Sequence, residues 1–226
     1  MHTDTSQLGI LAFMLAVLAG GTGTAVIAAA LILKKYHFAR LVALAGTLAA
    51  GGYGVLLLLA AFTTGETTLG RGEEKHFCEV DCHLAYSVVD VGRTKTLGTA
   101  AAPQAAEGTF YVVTLKVRFD ETTTSANRPP TVPLWPNPRW TSVRDESGRD
   151  YRPSLDGLAA FEAVHGTVKG LDRALRPGES YTTTLVFDLP DDVREPRLLL
   201  TSPLPENAFV VSNENSFFHR KVVFRL

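Results

Sequence analysis

The sequence predicts a two-helix transmembrane hairpin followed by an all-β, immunoglobulin-like sandwich. Two long uncharged stretches in the first third of the chain predict the hairpin, and short runs of β-branched and aromatic residues in the remainder predict the sandwich. With 226 residues, of which 46% are hydrophobic, the chain is long enough for one domain and a membrane anchor. Its formal net charge of −1 lacks the basic excess that nucleic-acid binding requires, so we exclude nucleic acid as a partner.

Residues 8–33 and residues 41–62 carry no charged side chain. Each stretch reaches the roughly 20 residues that a helix needs to cross a bilayer. A cleaved signal peptide is the alternative for the first stretch. That stretch is longer than the apolar part of a signal peptide, about 7–15 residues, and no basic residue precedes it. We therefore predict two membrane-spanning helices.

The positive charges predict the orientation of this hairpin. Lys34, Lys35 and Arg40 lie between the two stretches, whereas no lysine or arginine precedes the first one. Because positive residues are retained in the cytoplasm, both ends of the hairpin should face outward. The predicted regions are an outward-facing N terminus (1–7), transmembrane helix 1 (8–33), a cytoplasmic loop (34–40), transmembrane helix 2 (41–62), a linker (63–75) and an extracytoplasmic domain (76–226). The domain would lie on the periplasmic or extracellular side of the cytoplasmic membrane, where thiols can oxidise.

Both predicted spans contain small residues four positions apart, a spacing that lets helix backbones approach closely. The candidate helix-packing residues are Gly20, Gly23, Gly46, Ala50 and Gly54. Two interpretations stay open: the hairpin packs against itself, or these residues form a docking face for other membrane subunits. No charged residue interrupts either span, which argues against a transport path built from this chain alone.

Short β-branched and aromatic runs predict the strands of the outer domain. They lie at 83–91, 110–119, 139–145, 180–189, 196–202 and 221–226. Alternate residues from Tyr111 to Phe119 are apolar, so one face of that strand should pack in a core. Only residues 155–166 have helical spacing. Mostly antiparallel strands at this length predict two packed sheets.

Five segments follow one another within residues 83–226: VVDVGRTKTLG, EGTFYVVTLKVRFDE, RDESGRDYRPS, LRPGESYTTTLVFDLP and VVFRL. Their order resembles a family of exported immunoglobulin-like domains of unknown function, often tethered to bacterial membranes, which share the β-sandwich of secreted antigens. The resemblance implies a fold and a location in the cell envelope. It implies no catalytic residues.

The segment HFCEVDCH holds both cysteines, Cys78 and Cys82, next to His76 and His83. In an extended strand, Cα atoms four residues apart are about 13 Å distant, beyond the roughly 4.4–6.8 Å that a disulfide spans. In a turn or a helix they are about 6 Å apart. A bond or a shared metal therefore requires that residues 77–82 are not a strand. With two cysteines in an oxidising compartment, a Cys78–Cys82 disulfide is the favoured interpretation.

A copper site is the alternative, because two thiolates and an imidazole suit copper. Its candidate ligands are Cys78, Cys82, His83 and the distant His219. We expect no covalent haem, since haem attachment uses C-x-x-C-H and CEVDCH has one residue too many between its cysteines. Free thiols are the remaining alternative. No cofactor is favoured.

The proline-rich stretch 128–140 holds both tryptophans, Trp135 and Trp140. Either their rings cover an edge of the sandwich, or they are exposed and form a partner-docking strip, because tryptophan is a frequent binding hot spot. The wavelength of tryptophan fluorescence separates the two, since exposed rings emit further to the red than covered rings.

The chain contains no G-x-S-x-G, no H-E-x-x-H and no phosphate-binding glycine-rich loop outside the spans. We therefore predict no catalytic residues. The predicted function is a non-catalytic binding or assembly subunit of an envelope protein complex, integral to the membrane, with protein partners. Copper handling or electron transfer is the alternative function.

Overall fold

The computed structural model describes residues 2–78, 83–123, 129 and 131–226. The chain divides into two compact units. The first, which we call the β-domain, comprises residues 1–4, 66–204 and 221–226. The second, the helical unit, comprises residues 5–65 and 205–220. The chain therefore leaves the β-domain twice and returns to it twice.

Two long helices, α1 (Gln7–Ile32) and α2 (Tyr36–Thr63), form most of the helical unit. Helix α1 begins at a serine N-cap, where Ser6 Oγ accepts a hydrogen bond of 3.0 Å from the backbone N–H of Gly9. Both helices are long and apolar enough to cross a membrane, with mean hydropathy of 2.1 and 1.9. In their most apolar windows only 0% and 6% of the residues are buried, so most of the surface of each helix is exposed.

Helix α2 begins inside the segment 34–40 that the sequence predicts as a loop. The residues from Tyr36 to Arg40 include neither proline nor glycine, so nothing in them prevents a helix. The connection between α1 and α2 is therefore three residues long instead of the predicted seven. The chain reverses direction there at Lys34, whose φ is 55°. The expected tight hairpin is thus present, with a shorter turn.

The β-domain contains two five-stranded sheets. The strands of sheet A, in spatial order, are β1 (His2–Thr3), β3 (Lys75–Phe77), β4 (Leu84–Thr99), β5 (Ala102–Phe119) and β8 (Ser180–Leu189). Those of sheet B are β2 (Thr67–Leu69), β10 (Val222–Arg225), β9 (Arg197–Thr201), β6 (Trp140–Arg144) and β7 (Asp150–Tyr151). Among the strands that the structure describes, only the β1–β3 and β2–β10 pairs are parallel. The prediction of a β-rich domain with two sheets after two apolar helices is confirmed, whereas the immunoglobulin-like assignment stays a prediction.

One apolar core receives side chains from both sheets. Sheet A contributes the alternating residues of β5 from Tyr111 to Phe119, which is the face that the sequence predicts as buried. Sheet B contributes Val143, Leu198, Leu200 and Phe224, each 0% exposed. The two sheets therefore pack against each other rather than forming separate cores.

The third helix, α3 (Leu155–His165), covers the opposite face of sheet A. Ser154 caps its start, accepting 3.1 Å from the N–H of Gly157. A Cβ added to Gly157 would lie 2.8 Å from Val186 and 2.9 Å from Phe110, so the absence of a side chain lets the helix lie directly on the sheet. This contact explains why Phe110, on the partly polar face of β5, is buried.

Along the chain, two very short strands flank the helical hairpin. Strand β1 precedes α1 and pairs with β3 of sheet A, and strand β2 follows α2 and pairs with β10 of sheet B. Strand β2 falls inside the segment 63–75 that the sequence predicts as a linker. Both ends of the hairpin are therefore continuous with the β-domain.

Candidate functional site

Cys78 follows strand β3 directly and is buried, with 3% of its surface exposed. Its backbone N–H donates a hydrogen bond of 2.8 Å to Oδ1 of Asp4, and the N–H of Asp4 donates 3.0 Å to the carbonyl oxygen of His76. Residues just before helix α1 are thus bound to the start of the cysteine segment. Cys82 lies outside the described residues, together with positions 79–81.

Strands β3 and β4 are antiparallel neighbours, with Phe77 paired with Leu84. Residues 78–83 therefore connect two strands whose facing ends are adjacent. That is the arrangement which a bond between Cys78 and Cys82 requires, as opposed to one continuous strand through the segment. The disulfide itself stays a prediction.

The two histidines considered as metal ligands lie in different units. His83, in the β-domain, is 1% exposed; its Nδ1 lies 2.9 Å from Thr123 Oγ1, and its ring packs against Phe119 at 5.1 Å between centroids. His219, in the helical unit, places its Nδ1 2.7 Å from the carbonyl oxygen of Arg220. Among the residues that the structure describes, no group of three or more His, Cys, Asp or Glu side chains could hold a metal ion. The copper site stays a prediction.

The structure shows a charged network beside this segment that the sequence does not indicate. Arg118 donates two hydrogen bonds to Glu74, at 2.8 and 2.7 Å, and its Nη1 lies 3.4 Å from Asp120. The buried imidazole of His76 lies between the two carboxylates, 3.6 Å from Glu74 and 3.9 Å from Asp120. The hydrogen bond from Arg118 lowers the pKa of Glu74 below its usual value. Strand pairing explains the network, because β3 and β5 both pair with β4 and the four groups lie on β3, on β5 or at their ends.

Both tryptophans are exposed: Trp135 by 70% and Trp140 by 67%. Trp140 opens strand β6 and is paired with Thr201 of β9, so its backbone is held in sheet B. Trp135 follows Leu134, whose N–H and C=O both bond to Leu175, at 2.7 and 3.0 Å. Each ring is mostly exposed to solvent, and the backbone at or next to it is held by strand pairing.

Trp140 lines an open groove of about 820 Å³ on sheet B. Four basic residues and one acidic residue line the same groove, namely Arg139, Arg144, Arg152, Lys221 and Asp150. Asp150 is already engaged by Arg144 through two hydrogen bonds of 2.8 and 2.7 Å, so the groove carries a positive excess. An exposed indole beside arginine side chains is a composition typical of protein-binding surfaces.

Arg139, the residue before Trp140, is only 9% exposed. Its guanidinium lies over the ring of Phe77, 4.3 Å from the centroid, and 5.9 Å from that of Tyr86. This cation–π contact holds the start of β6 against sheet A. The indole of Trp140 is therefore attached to a rigid position, which reduces the entropy that binding would cost.

The glycines predicted to pack helices are not in close contact within the helical unit. A Cβ added to Gly20, Gly23, Gly46 or Gly54 would meet no atom within 4 Å. Ala50 is exposed as well. The close approach that these residues permit is thus not used between α1 and α2, and docking of a further membrane-embedded helix stays a prediction for them.

No family model matches the chain, and no curated protein is similar to it in sequence. Among solved structures, the chain is similar to the secreted protein MPT63 of Mycobacterium tuberculosis, with 14% identity and a TM-score of 0.43 over 73% of this chain and 100% of that one. It is also similar to the yjhA protein of Bacillus subtilis, with 14% identity and a TM-score of 0.40 over 70% and 98% of the two chains. A conserved hypothetical protein of Bacillus anthracis has 17% identity and a TM-score of 0.38 over 52% and 82%. Fold similarity at this level carries no information about function.

Proposed function

We propose that this chain is a membrane-anchored, extracytoplasmic β-domain that acts as a non-catalytic binding or assembly subunit of an envelope protein complex. The observation that carries the proposal is the exposed Trp140 in a positively charged groove, on a domain continuous with both ends of an apolar hairpin. The immunoglobulin-like family resemblance is consistent with such a module.

The helices support the anchoring part of the proposal. Their apolar side chains are exposed along the whole length, for example Leu18 (64%), Leu48 (69%) and Leu59 (59%). Side chains of this size and number are not left in water by a monomeric soluble protein. The positive residues of the short turn favour its retention in the cytoplasm, which supports an outside location for the β-domain.

The groove supports the binding part. Tryptophan and arginine dominate the energy of many interfaces, and truncation of a hot-spot side chain costs at least about 2 kcal/mol. The positive excess favours an acidic segment of a partner protein. Anchoring raises the effective concentration of the groove toward partners in the same membrane.

Co-purification from native membranes tests the proposal. The full-length chain, Trp140→Ala and Arg152→Glu are each isolated after mild solubilisation, and the associated proteins are quantified. We expect one set of proteins to be lost with both variants. Leu155→Ala is the matched control, because Leu155 is 78% exposed on α3 and does not line the groove. Recovery that is the same for all four chains would contradict the groove's role.

The orientation has its own test. Protease added to intact spheroplasts should digest the β-domain while the turn at Lys34–Lys35 stays protected. A β-domain that is cleaved only after lysis would refute the extracytoplasmic location.

A further inference from the structure

Residues 205–220 belong to the helical unit although they lie between strands β9 and β10 of the β-domain. We propose that this segment is a third membrane-contacting element, which places Phe209, Phe217 and Phe218 in the acyl-chain region of the lipid leaflet around the N-terminal end of α1 and the C-terminal end of α2. The inference rests on the membrane anchoring proposed above and adds a lipid-binding surface to it.

The segment lies along the last turns of α2. The hydroxyl of Tyr53 donates a hydrogen bond of 2.7 Å to the carbonyl oxygen of Phe209. The rings of Phe62 and Phe218 stack, with centroids 6.4 Å apart and planes inclined by 12°. Tyr53 and Phe62 are separated by a rise of about 14 Å along the helix. The segment therefore follows the side of α2 instead of only covering its end.

The segment also touches the first turn of α1. A Cβ added to Gly9 would overlap the carbonyl oxygen of Val211. Only a glycine allows the two backbones to approach this closely. Contacts to both helices fix the segment within the helical unit.

The position of these contacts corresponds to the hydrocarbon layer. The uncharged run of α2, residues 41–62, has a length of about 33 Å, which matches a hydrocarbon thickness of roughly 30 Å. Tyr53 lies well inside that run, and Phe62 lies at its end. An element that contacts both side chains extends from the lipid interface into the outer leaflet.

The segment exposes its phenylalanines and buries several polar side chains, although Val210 is also buried and Glu206 and Arg220 near its ends are exposed. Phe209, Phe217 and Phe218 are exposed by 52%, 52% and 73%, whereas Asn213 and Glu214 are exposed by only 2% and 1%. Glu214 is the single charged residue between positions 207 and 218. A loop in water has the opposite arrangement, and this one suits an apolar solvent.

Part of the backbone of the segment is hydrogen-bonded within the segment, which lowers the cost of its contact with lipid. Four successive turns each join an N–H to a carbonyl three residues earlier: Val210 to Asn207 (3.2 Å), Asn213 to Val210 (3.1 Å), Ser216 to Asn213 (3.0 Å) and His219 to Ser216 (3.1 Å). The side-chain oxygen of Asn213 accepts 2.8 Å from the N–H of Asn215. Arg220, exposed at the end of the segment, is suited to a lipid headgroup.

The exposed phenylalanines continue the apolar surface of α2. Val55, Leu56 and Leu59 are exposed by 56%, 47% and 59% on the same stretch of helix, and Phe62 by 76%. Lipid that surrounds α2 in an anchored chain therefore also meets the exposed phenylalanines of the segment. Aromatic rings at the end of a span are typical of membrane interfaces.

Depth-dependent quenching tests the proposal on the full-length chain. Trp135 and Trp140 are changed to phenylalanine, and one tryptophan is introduced by Phe217→Trp or, in a second chain, by Phe209→Trp. Each chain is reconstituted in vesicles of phosphatidylcholine that carries bromine on the acyl chains. We expect a blue-shifted emission that loses most of its intensity to brominated lipid and little to aqueous iodide.

Two control chains make the outcomes distinguishable. Leu48→Trp, in the middle of α2, reports on anchoring, and native Trp140 alone reports on the water-exposed domain. If Leu48→Trp is quenched by bromine but both segment variants are quenched only by iodide, the segment lies in water and the inference is overturned while anchoring stands. Segment variants protected from both quenchers are covered by protein, which also overturns it. If Leu48→Trp is not quenched by bromine, anchoring and the inference are both overturned.

Discussion

The Nζ of Lys75 lies 2.6 Å from the carbonyl oxygen of Leu200, and this hydrogen bond connects strand β3 of sheet A to strand β9 of sheet B. Nζ donates a second bond of 3.2 Å to the carbonyl oxygen of Val222 in β10. The residue is 0% exposed, and the ammonium lies 4.9 Å from the centre of the Phe77 ring. Lys75 lies in a polar stretch of the sequence, yet its side chain is buried and hydrogen-bonds sheet A to sheet B.

Lys75→Met should destabilise the β-domain by about 2 kcal/mol. The apolar stem is kept, but two main-chain carbonyls lose this donor, and a buried polar group without a partner costs about 1–3 kcal/mol. Removing the cost of burying the ammonium offsets part of the loss. Urea unfolding of the detergent-solubilised chain, followed by near-ultraviolet circular dichroism, measures the change. Lys116→Met, on the half-buried outer face of β5, is the control and should shift stability by less than about 0.5 kcal/mol.

Asp145 is predicted to stabilise the β6–β7 turn in a pH-dependent way. Its carboxylate accepts hydrogen bonds from Ser147 Oγ (2.7 Å), from the N–H and Nε of Arg149 (2.9 and 2.7 Å) and from the Tyr151 hydroxyl (3.1 Å). Desolvation alone would raise the pKa of Asp145, but these bonds outweigh it and lower the pKa below the ordinary 3.8. A carboxyl with a lowered folded-state pKa stabilises fully above its unfolded pKa and loses that contribution as the pH falls.

Asp145→Asn should therefore lower the urea midpoint of unfolding at pH 7. The gap between the midpoints of the variant and the unaltered chain should narrow as the pH falls below about 4. Unfolding curves at a series of pH values measure this gap. Asp192→Asn is the matched control, because its carboxylate is exposed and lies 3.6 Å from Arg149. A gap that stays constant down to acid pH would refute the role of the Asp145 charge.

The Cys78–Cys82 prediction has two readouts. Intact mass of the purified chain should be two hydrogens below the reduced value, and reduction should lower stability by about 2 kcal/mol, which is the entropy expected from so short a loop. Cys78→Ser, Cys82→Ser and the double variant should then be equally destabilised. Copper in the metal analysis, or two thiols that react with an alkylating agent under native conditions, would contradict the disulfide and favour an alternative.

The tryptophan emission of the isolated chain should be that of water-exposed indole. Trp135 and Trp140 are mostly exposed, so unfolding should leave the wavelength of their emission nearly unchanged. Single variants Trp135→Phe and Trp140→Phe assign the signal to each ring. If the binding proposal is right, addition of the partner should shift the Trp140 emission to the blue. A blue emission from the isolated chain would mean that a ring is buried.

Two glycine-to-alanine changes in α1 should differ in effect. At Gly9 the new Cβ overlaps the carbonyl oxygen of Val211, so we expect a loss of about 1–3 kcal/mol from overpacking. At Gly20 the new Cβ meets no atom within 4 Å, so the helical unit should be unaffected. Thermal melts of the solubilised chain compare the two. The larger Gly20→Leu should in turn remove a docked membrane partner, if the small residues bind one, without altering the melt.

Alternation and turn residues were enough to predict the long strands. The segment 180–189 coincides with β8, because Pro177 and Gly178 form the turn before it and Pro190 stands directly after it. Helix α3 was equally predictable from its spacing within 155–166. Strands β4 and β5 extend further than predicted, to Thr99 and back from Ala102. The added residues of β4 and β5 pair with each other as a two-stranded ribbon. Few of them are apolar, so the sequence shows no alternating hydrophobic pattern there.

The features of the candidate sites were harder to predict, because they depend on long-range pairing. Strands β1 and β2 contain two and three residues, too few to show a period. The burial of Lys75 depends on carbonyls more than 120 residues away along the chain. For the Trp140 groove, the sequence identified the indole but not the basic residues that β6, β7, β10 and their ends bring to it. The phenylalanines of 205–220 do leave a signal in the sequence, namely apolar residues without strand or helix period in a stretch with a single charge between positions 207 and 218.

Strands β1 and β2 have a consequence for how the protein is made. Each belongs to a different sheet, and the two long apolar helices separate them in the chain. During synthesis the first strand emerges before either helix, yet its partner β3 follows both. In an anchored chain the amino terminus must therefore be translocated before sheet A can acquire its edge. Because β1 and β3 lie on the same side of a membrane only when both helices span it, insertion of a single helix would leave that edge of sheet A uncovered.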